Sequence, residues 1–260
     1  MTNIVIGAAS GMGAAIARRL APRGRLLIAD RDHAALETLA AELAGDVEVM
    51  PCDVTVADDI DALVARVDSL EALVVTAGVS SGSLLPGRRI LEVNLLGTAN
   101  VLAAVEPLLG DTSVAVCFAS VAAQRFPENP LLDDPLAEGF LDALADAGLP
   151  LDDGLMAYAM SKRGVLQLVR RSASSWGARG ARILALSPGC IDTPMARQEL
   201  AQHPIMEDVV RATSLGRWGT PDEVASVVAF LTSREASFMT GSEVLVDGGP
   251  ISVMPTPRGH

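Results

Sequence analysis

The chain has 260 residues, enough for one α/β domain or two small ones; half are hydrophobic but only 3% aromatic, so any core is built from Ala, Val, Leu and Ile. A net charge of −12 argues against nucleic acid or an anionic membrane as partner, though not against a local anion pocket. The three cysteines, Cys52, Cys117 and Cys190, are odd in number and too far apart for a disulfide framework or a metal-type pair, which fits a reducing cytoplasm and no bound metal.

In chain order, short apolar runs alternate with longer helical patterns. "NIVIG" precedes a helix over 11–23, "RLLIAD" one over 32–44, and "VEVMPCD" one over 56–67. "ALVVTAG" leads to a helix near 88–109 and "SVAVCFAS" to one over 156–178. "ARILALSPG" and "SEVLVDGG" bracket a helix at 221–232. Strands that are apolar throughout, joined by crossover helices, predict a parallel sheet covered on both faces. The fold class is therefore α/β, a doubly wound single domain over 1–260 without linker or internal repeat. Residues 124–155, Pro-punctuated and acidic, break the rhythm and read as an insertion between the fifth strand and the next helix, with one or two short helices of its own. The opening segment is apolar like an export signal, but Arg18 and Arg19 follow it and its glycines are spaced for a turn, so no signal is expected. No stretch is expected to span a membrane.

Gly7, Gly11 and Gly13 fall where the first strand turns into the first helix. Glycines there permit a sharp turn and let a pyrophosphate reach the helix N-terminus, where free N–H groups and the dipole favour negative charge. Ser10 adds a hydroxyl to that cradle. The alternative is a tight turn with no ligand. Asp30 closes the second strand about twenty residues later, where a carboxylate can bind both adenosine ribose hydroxyls and repel a 2′-phosphate, favouring NAD(H) over NADP(H). Asp30 could instead cap the following helix, and Arg31 beside it is the residue type that accommodates NADP. Asp53, ending the third strand, faces the adenine edge by the same geometry or serves as a cap.

Tyr158 is the only tyrosine and Lys162 the only lysine, four residues apart. On a helix they share a face. A phenol holds its proton to about pH 10, and an adjacent ammonium is expected to lower that value, giving a tunable acid/base. The compact ammonium suits this place better than a broad guanidinium. Ser120, at the end of the fifth strand, is positioned to hold a substrate oxygen, since ligands bind at the carboxyl ends of parallel strands. Asn94, in an otherwise apolar helix, needs partners, and is expected to bond the helix backbone and a water leading to Lys162. Both residue types also satisfy local backbone groups without further role.

These residues resemble the short-chain dehydrogenase/reductase family along nearly the whole chain. The resemblance rests on "GAASGMG", Asp30, "CDVT", "TAG" at 76–78, Asn94, Ser120, "YAMSK", "SPGCIDTPM" and "GSEVLVDGG". The long gap from Ser120 to Tyr158, the short link from Gly78 to Asn94, and "LGRWGTPDEVASVVAFL" look most like the bacterial 3α-hydroxysteroid dehydrogenase/carbonyl reductase branch. The resemblance implies a Rossmann-type sheet, Tyr158 as general acid/base, Lys162 on the ribose and lowering the phenol pKa, Ser120 orienting the substrate oxygen, and Asn94 in a proton relay. It assigns Met12, Val54, Ala77, Gly78, Pro188, Gly189, Ile191 and Thr193 to the cofactor, the last two at its nicotinamide end. Ile6 and Thr76 depart from the family's usual Thr and Asn, at positions that tie the cofactor loop to neighbouring strands.

Residues 194–215 are expected to cover the nicotinamide, with Met195, Leu200, Ile205 and Met206 as apolar material. The insertion offers Phe126, Leu131, Leu132, Phe140 and Leu141, either to the pocket or to a neighbour's helix. A hydrophobic, cyclic or steroid-like secondary alcohol or ketone is the expected small-molecule substrate. Rival readings are a 3-oxoacyl-thioester reductase, opposed by Asp30 and the acidic insertion; a sugar-nucleotide epimerase, which usually has a longer chain; and a catalytically silent NAD-binding sensor. A cytoplasmic homodimer or homotetramer is expected, with "GSEVLVDGGPISVM" as interface material and Pro255–His260 as a disordered tail.

Overall fold

The computed structural model describes residues 1–202 and 206–249. Ile205, the end of the expected interface segment and the Pro255–His260 tail lie outside the described residues. Seven strands, β1 (Thr2–Ile6), β2 (Leu26–Asp30), β3 (Val47–Pro51), β4 (Leu70–Val75), β5 (Val114–Phe118), β6 (Arg182–Pro188) and β7 (Glu243–Val246), form one sheet in the order β3-β2-β1-β4-β5-β6-β7. All six pairings are parallel. The strand order reverses between β1 and β4, which opens a crevice at their carboxyl ends.

The strands read as continuous apolar runs because both faces are buried. Along β1, Ile4 and Ile6 point into one core and Val5 into the other; along β4, Leu73 and Val75 oppose Ala72 and Val74. One face is covered by α3 (Ala57–Val64), α5 (Gly97–Val105) and α7 (Gly154–Gly177), the other by α1 (Gly11–Leu20), α2 (His33–Glu42) and α10 (Pro221–Leu231). α10 starts at a reciprocal capping box between Thr220 and Glu223, with Pro221 at its first position.

The helix expected near 88–109 is not uniform. It runs as α4 (Gly87–Leu91), a π turn over Glu92–Leu96, then α5. The wide turn holds Asn94, and the contacts that offset its cost come from outside the helix.

Between β5 and α7 lie two 3₁₀ turns, Val121–Arg125 and Pro130–Leu132, and α6 (Phe140–Asp146). Phe126, Leu132, Phe140, Leu141 and Leu144 are buried in the same core as α7. Gln167 of α7 donates to Asn129 O and Asp133 Oδ1 and accepts from Asn129 N, while Arg163 donates to the carbonyls of Ala123 and Phe126. The segment thus packs on its own chain's α7, with Leu131 and Leu136 exposed on its outer side. The segment after β6, expected as a cover, holds α8 (Pro194–Gln202) and α9 (Met206–Ala212).

Candidate active site

The cleft at the strand ends encloses about 260 Å³ and is bounded by the Gly7–Gly13 turn, Asp30, Arg31, the Cys52–Val54 and Thr76–Val79 segments, and Thr193–Met195. Gly7 at φ +89 and Gly11 at φ +54 adopt left-handed backbone that a side chain would strain. A Cβ on Gly7 would run into the Ala77 backbone, and one on Gly13 into the Gly7 carbonyl. Those two glycines are required by the packing of β1, α1 and the segment after β4, so their spacing alone does not establish a ligand. The chemistry of the cradle does fit one. Ser10 is the N-cap of α1, its hydroxyl makes no capping bond, and the orphan N–H groups of the first turn are at the cleft. Thr76, one of the two departures, donates its hydroxyl to Ile6 O at 2.9 Å and Gly7 O at 3.0 Å, so it ties this loop to β1.

Asp30 does not cap α2; Asp32 does, accepting from Ala35 N at 3.0 Å. Asp30 Oδ2 instead accepts from Ala9 N at 3.1 Å and Oδ1 from Asp32 N at 3.2 Å, which holds the carboxylate at the glycine turn with lone pairs to spare. Arg31 is exposed on the cleft rim. Asp53 is occupied by Thr55, accepting from its N–H and hydroxyl. Burial alone would raise its pKa, but these bonds, with Arg31 and Arg89, hold it below the usual value. Met12, Val54, Ala77, Gly78 and Thr193 line the same cleft. Pro188, Gly189 and Ile191 do not: Ile191 is buried against Gly219 and bridges to it, and Gly189 abuts Asp247.

Helix α7 begins at Asp153, whose side chain accepts from Leu155 N and Met156 N. One turn in stands Tyr158, partly exposed, and a further turn on Lys162, only 5% exposed. The Lys162 ammonium lies 5.8 Å from the Tyr158 ring centre and donates to Phe118 O at the end of β5 at 2.9 Å. It is not a solvated lysine. Burial pushes its pKa down to about 8. Burial also raises the Tyr158 phenol; the neighbouring Ser120 hydroxyl pulls the other way and Glu199 adds to the rise. The expected lowering of the phenol by Lys162 is not found: burial dominates the shift, and Lys162 is not among its causes.

Ser120 lies two residues past β5 and caps the following 3₁₀ turn, accepting from Ala122 N at 3.1 Å, so it does local work beside Tyr158. Asn94, fully buried, bonds neither its own helix backbone through its side chain nor Lys162. Its Oδ1 accepts from Val79 N at 2.8 Å, and its Nδ2 donates to Val79 O at 3.0 Å and to Ser161 Oγ at 3.2 Å. Gly78 lies between Asn94 and Lys162: a Cβ there would meet Asn94 Oδ1 at 3.0 Å and Lys162 Nζ at 3.5 Å. Asn94, Lys162, Tyr158 and Ser120 therefore converge where β4 and β5 end.

A family profile described as "short chain dehydrogenase" matches residues 2–129, and one described as "Enoyl-(Acyl carrier protein) reductase" matches 147–250. Over 272 residues the chain is 32% identical to "Short-chain dehydrogenase/reductase bsc3" of Alternaria brassicicola, with 97% of this chain and 96% of the relative covered. The chain belongs to the short-chain dehydrogenase/reductase family. It is also 29% identical over 266 residues, at 98% coverage of both, to the "3-alpha-hydroxysteroid dehydrogenase/carbonyl reductase" of Comamonas testosteroni. Among solved structures it is similar to an actinorhodin polyketide ketoreductase variant crystallised with NADPH, with a TM-score of 0.76, 25% identity and 95% of each chain covered. This dehydrogenase/reductase thus has a family whose members bind a nicotinamide cofactor and act on alcohol or carbonyl groups. Two residues at the site were not anticipated: Ser81 and Glu199, hydrogen-bonded at 2.6 Å. Being 118 residues apart, they carry no shared sequence signal. Among the described residues, no helix is long and apolar enough to cross a membrane.

Proposed function

We propose that this chain is an NAD-dependent oxidoreductase that interconverts a hydrophobic, cyclic or steroid-like secondary alcohol and its ketone. The observation that carries the reading is the Tyr158–Lys162 pair on one face of α7, Tyr158 partly exposed and Lys162 buried and anchored to Phe118 O, beside the glycine-turn cleft. A bound nicotinamide would supply the two-electron acceptor or donor for the reacting carbon. The protein's task is to move one proton and hold the substrate oxygen. In the reductive direction the Tyr158 hydroxyl, kept protonated by burial, gives its proton to the ketone oxygen; in oxidation the same oxygen takes the proton from the alcohol. Ser120 orients the substrate oxygen. Lys162, with a pKa near 8, can return a proton to the Tyr158 side and hold a ribose hydroxyl. Asn94 positions Val79 and, through Gly78, the space around Lys162; its relay role is indirect.

Asp30 supports NAD over NADP, because a carboxylate fixed by Ala9 N–H at the ribose end would sit against a 2′-phosphate. Thr193 and the Gly7–Gly13 turn, with Val54, Ala77 and Gly78, would hold the remaining parts of the cofactor. Met195, 46% exposed at the cleft edge, gives the cover apolar surface for the substrate ring. A homodimer or homotetramer in the cytoplasm completes the reading.

Absorbance of reduced nicotinamide tests it, with purified protein, NAD or NADP, and a panel of cyclic secondary alcohols, hydroxysteroids, sugars and hydroxy acids. Turnover with NAD on the apolar alcohols is expected. Turnover confined to sugars or small hydroxy acids, or to NADP, would refute the substrate or cofactor half respectively.

A further inference from the structure

One charged side chain of α8, Glu199, is hydrogen-bonded to the loop after β4. On α8, Arg197 is exposed and pairs with Asp192 at 2.6 Å, away from the site. Glu199, two residues later, is half-buried, and its Oε1 accepts a hydrogen bond from the Ser81 hydroxyl at 2.6 Å. Ser81 belongs to the loop between β4 and α4, and a Cβ on Gly154, at the start of α7, would lie 3.6 Å from Ser81 O. The bond therefore draws α8 against the wall of the cleft next to the first turn of α7, one turn before Tyr158. Among the described residues Ser81 is the one polar partner of Glu199, and no Arg or Lys neutralises it. Its charge is felt at the reacting end of the site: after burial, it is a further cause of the raised values of both the Tyr158 phenol and the Cys190 thiol.

A carboxylate in such a place has definite chemistry. It accepts hydrogen bonds and donates none, so it suits a hydroxyl and opposes another anion. Ser81 fixes its orientation beforehand, which lowers the ordering cost of using it. Resting on the oxidoreductase reading above, we infer that Glu199 is a substrate-specificity residue. Its free oxygen accepts a hydrogen bond from a second hydroxyl on the apolar ring, away from the reacting carbinol, and it rejects substrates with a carboxylate there. The preferred substrate class is then a dihydroxylated, otherwise apolar ring rather than a hydroxy acid. The chain's net charge of −12 acts in the same sense on any anionic substrate.

The test compares three compounds on one ring skeleton: the mono-alcohol, the diol and the hydroxy-carboxylate. kcat/KM is measured for each with wild type, Glu199→Gln and Glu199→Leu, and NADH binding by fluorescence reports the intact cofactor site. Ratios are taken within each protein, so a smaller active fraction cancels. In wild type the diol should exceed the hydroxy acid by about 100-fold or more, a like-charge penalty of the kind that rejects wrong partners. Glu199→Gln should cut that ratio at least ten-fold, mainly by raising the hydroxy acid. Glu199→Leu should lower the diol-to-mono-alcohol ratio at least ten-fold. Unchanged ratios in both variants, whatever the absolute rates, would overturn the inference and leave Glu199 as a latch of the cover. No turnover of any of the three by wild type that still binds NADH would instead overturn the parent reading, and this inference with it.

Discussion

Replacing Asn94 by Ala removes three hydrogen bonds at a position with no solvent exposure. Ser161 Oγ keeps a partner, since it also donates to Tyr158 O at 2.8 Å. The N–H and carbonyl of Val79 lose theirs. An orphaned buried polar group costs about 1–3 kcal/mol, and Val79 is partly exposed, so water recovers some of the loss. The expected destabilisation is about 2–4 kcal/mol, a drop in Tm of roughly 5–15 °C for a domain of this size. The loop after β4, which includes Gly78 beside Lys162, should loosen at the same time, so weaker NADH binding is expected to accompany the loss. Urea unfolding followed by circular dichroism, together with an NADH titration, measures both. A change below about 0.5 kcal/mol would refute the assignment of Asn94 as the tie between the π turn and the loop.

Gly13→Ala should cost more than about 3 kcal/mol or prevent folding, since its Cβ would collide with the Gly7 carbonyl, whereas Gly177→Ala, with nothing within 4 Å, should be neutral or stabilising by up to about 1 kcal/mol; thermal unfolding separates the two. Asp30→Ala should weaken NAD binding roughly ten-fold and narrow or reverse the preference over NADP, and equal effects on both cofactors in a titration would contradict the role given to Asp30. Burial lowers the Lys162 pKa to about 8 from an ordinary value of 10.5, so between those pH values the unfolded chain binds a proton that the folded chain has released. This group's contribution to stability is therefore reduced below about pH 8 and rises with pH through the window, by up to about 3 kcal/mol. The Cys52 and Cys117 thiols, pushed up to about 12, act oppositely above about pH 9, so the effect is read as wild type minus Lys162→Met; a difference that does not change between pH 7 and 10 would refute it.

The sheet was legible because its strands, buried on both faces, are written as unbroken apolar runs, and the helix spacing of Tyr158 and Lys162 follows from periodicity alone. The π turn at Glu92–Leu96 left no trace in sequence, because what holds it is the pairing of Asn94 with Val79 and Ser161, from segments distant in the chain. The raised Tyr158 phenol has a related reason. Charge proximity can be inferred from spacing, but the desolvation that dominates both groups depends on packing around them. Residues 124–155 have a counterpart pattern on α7. Arg163, Gln167, Arg170 and Arg171 stand at helical spacing on α7, and each bonds that segment or its preceding turn. The pairing of Ser81 with Glu199 had no such pattern, since it depends on how the cover settles on the cleft.

The most direct test of the account is Tyr158→Phe, which removes one oxygen from the partly exposed ring and leaves Lys162 bound to Phe118 O. With the best secondary alcohol from the panel, kcat should fall by about 10³-fold or more while the NADH Kd stays within about two-fold, the mark of a lost proton-transfer group rather than a lost binding site. Activity within ten-fold of wild type would contradict the assignment of Tyr158 as the general acid/base.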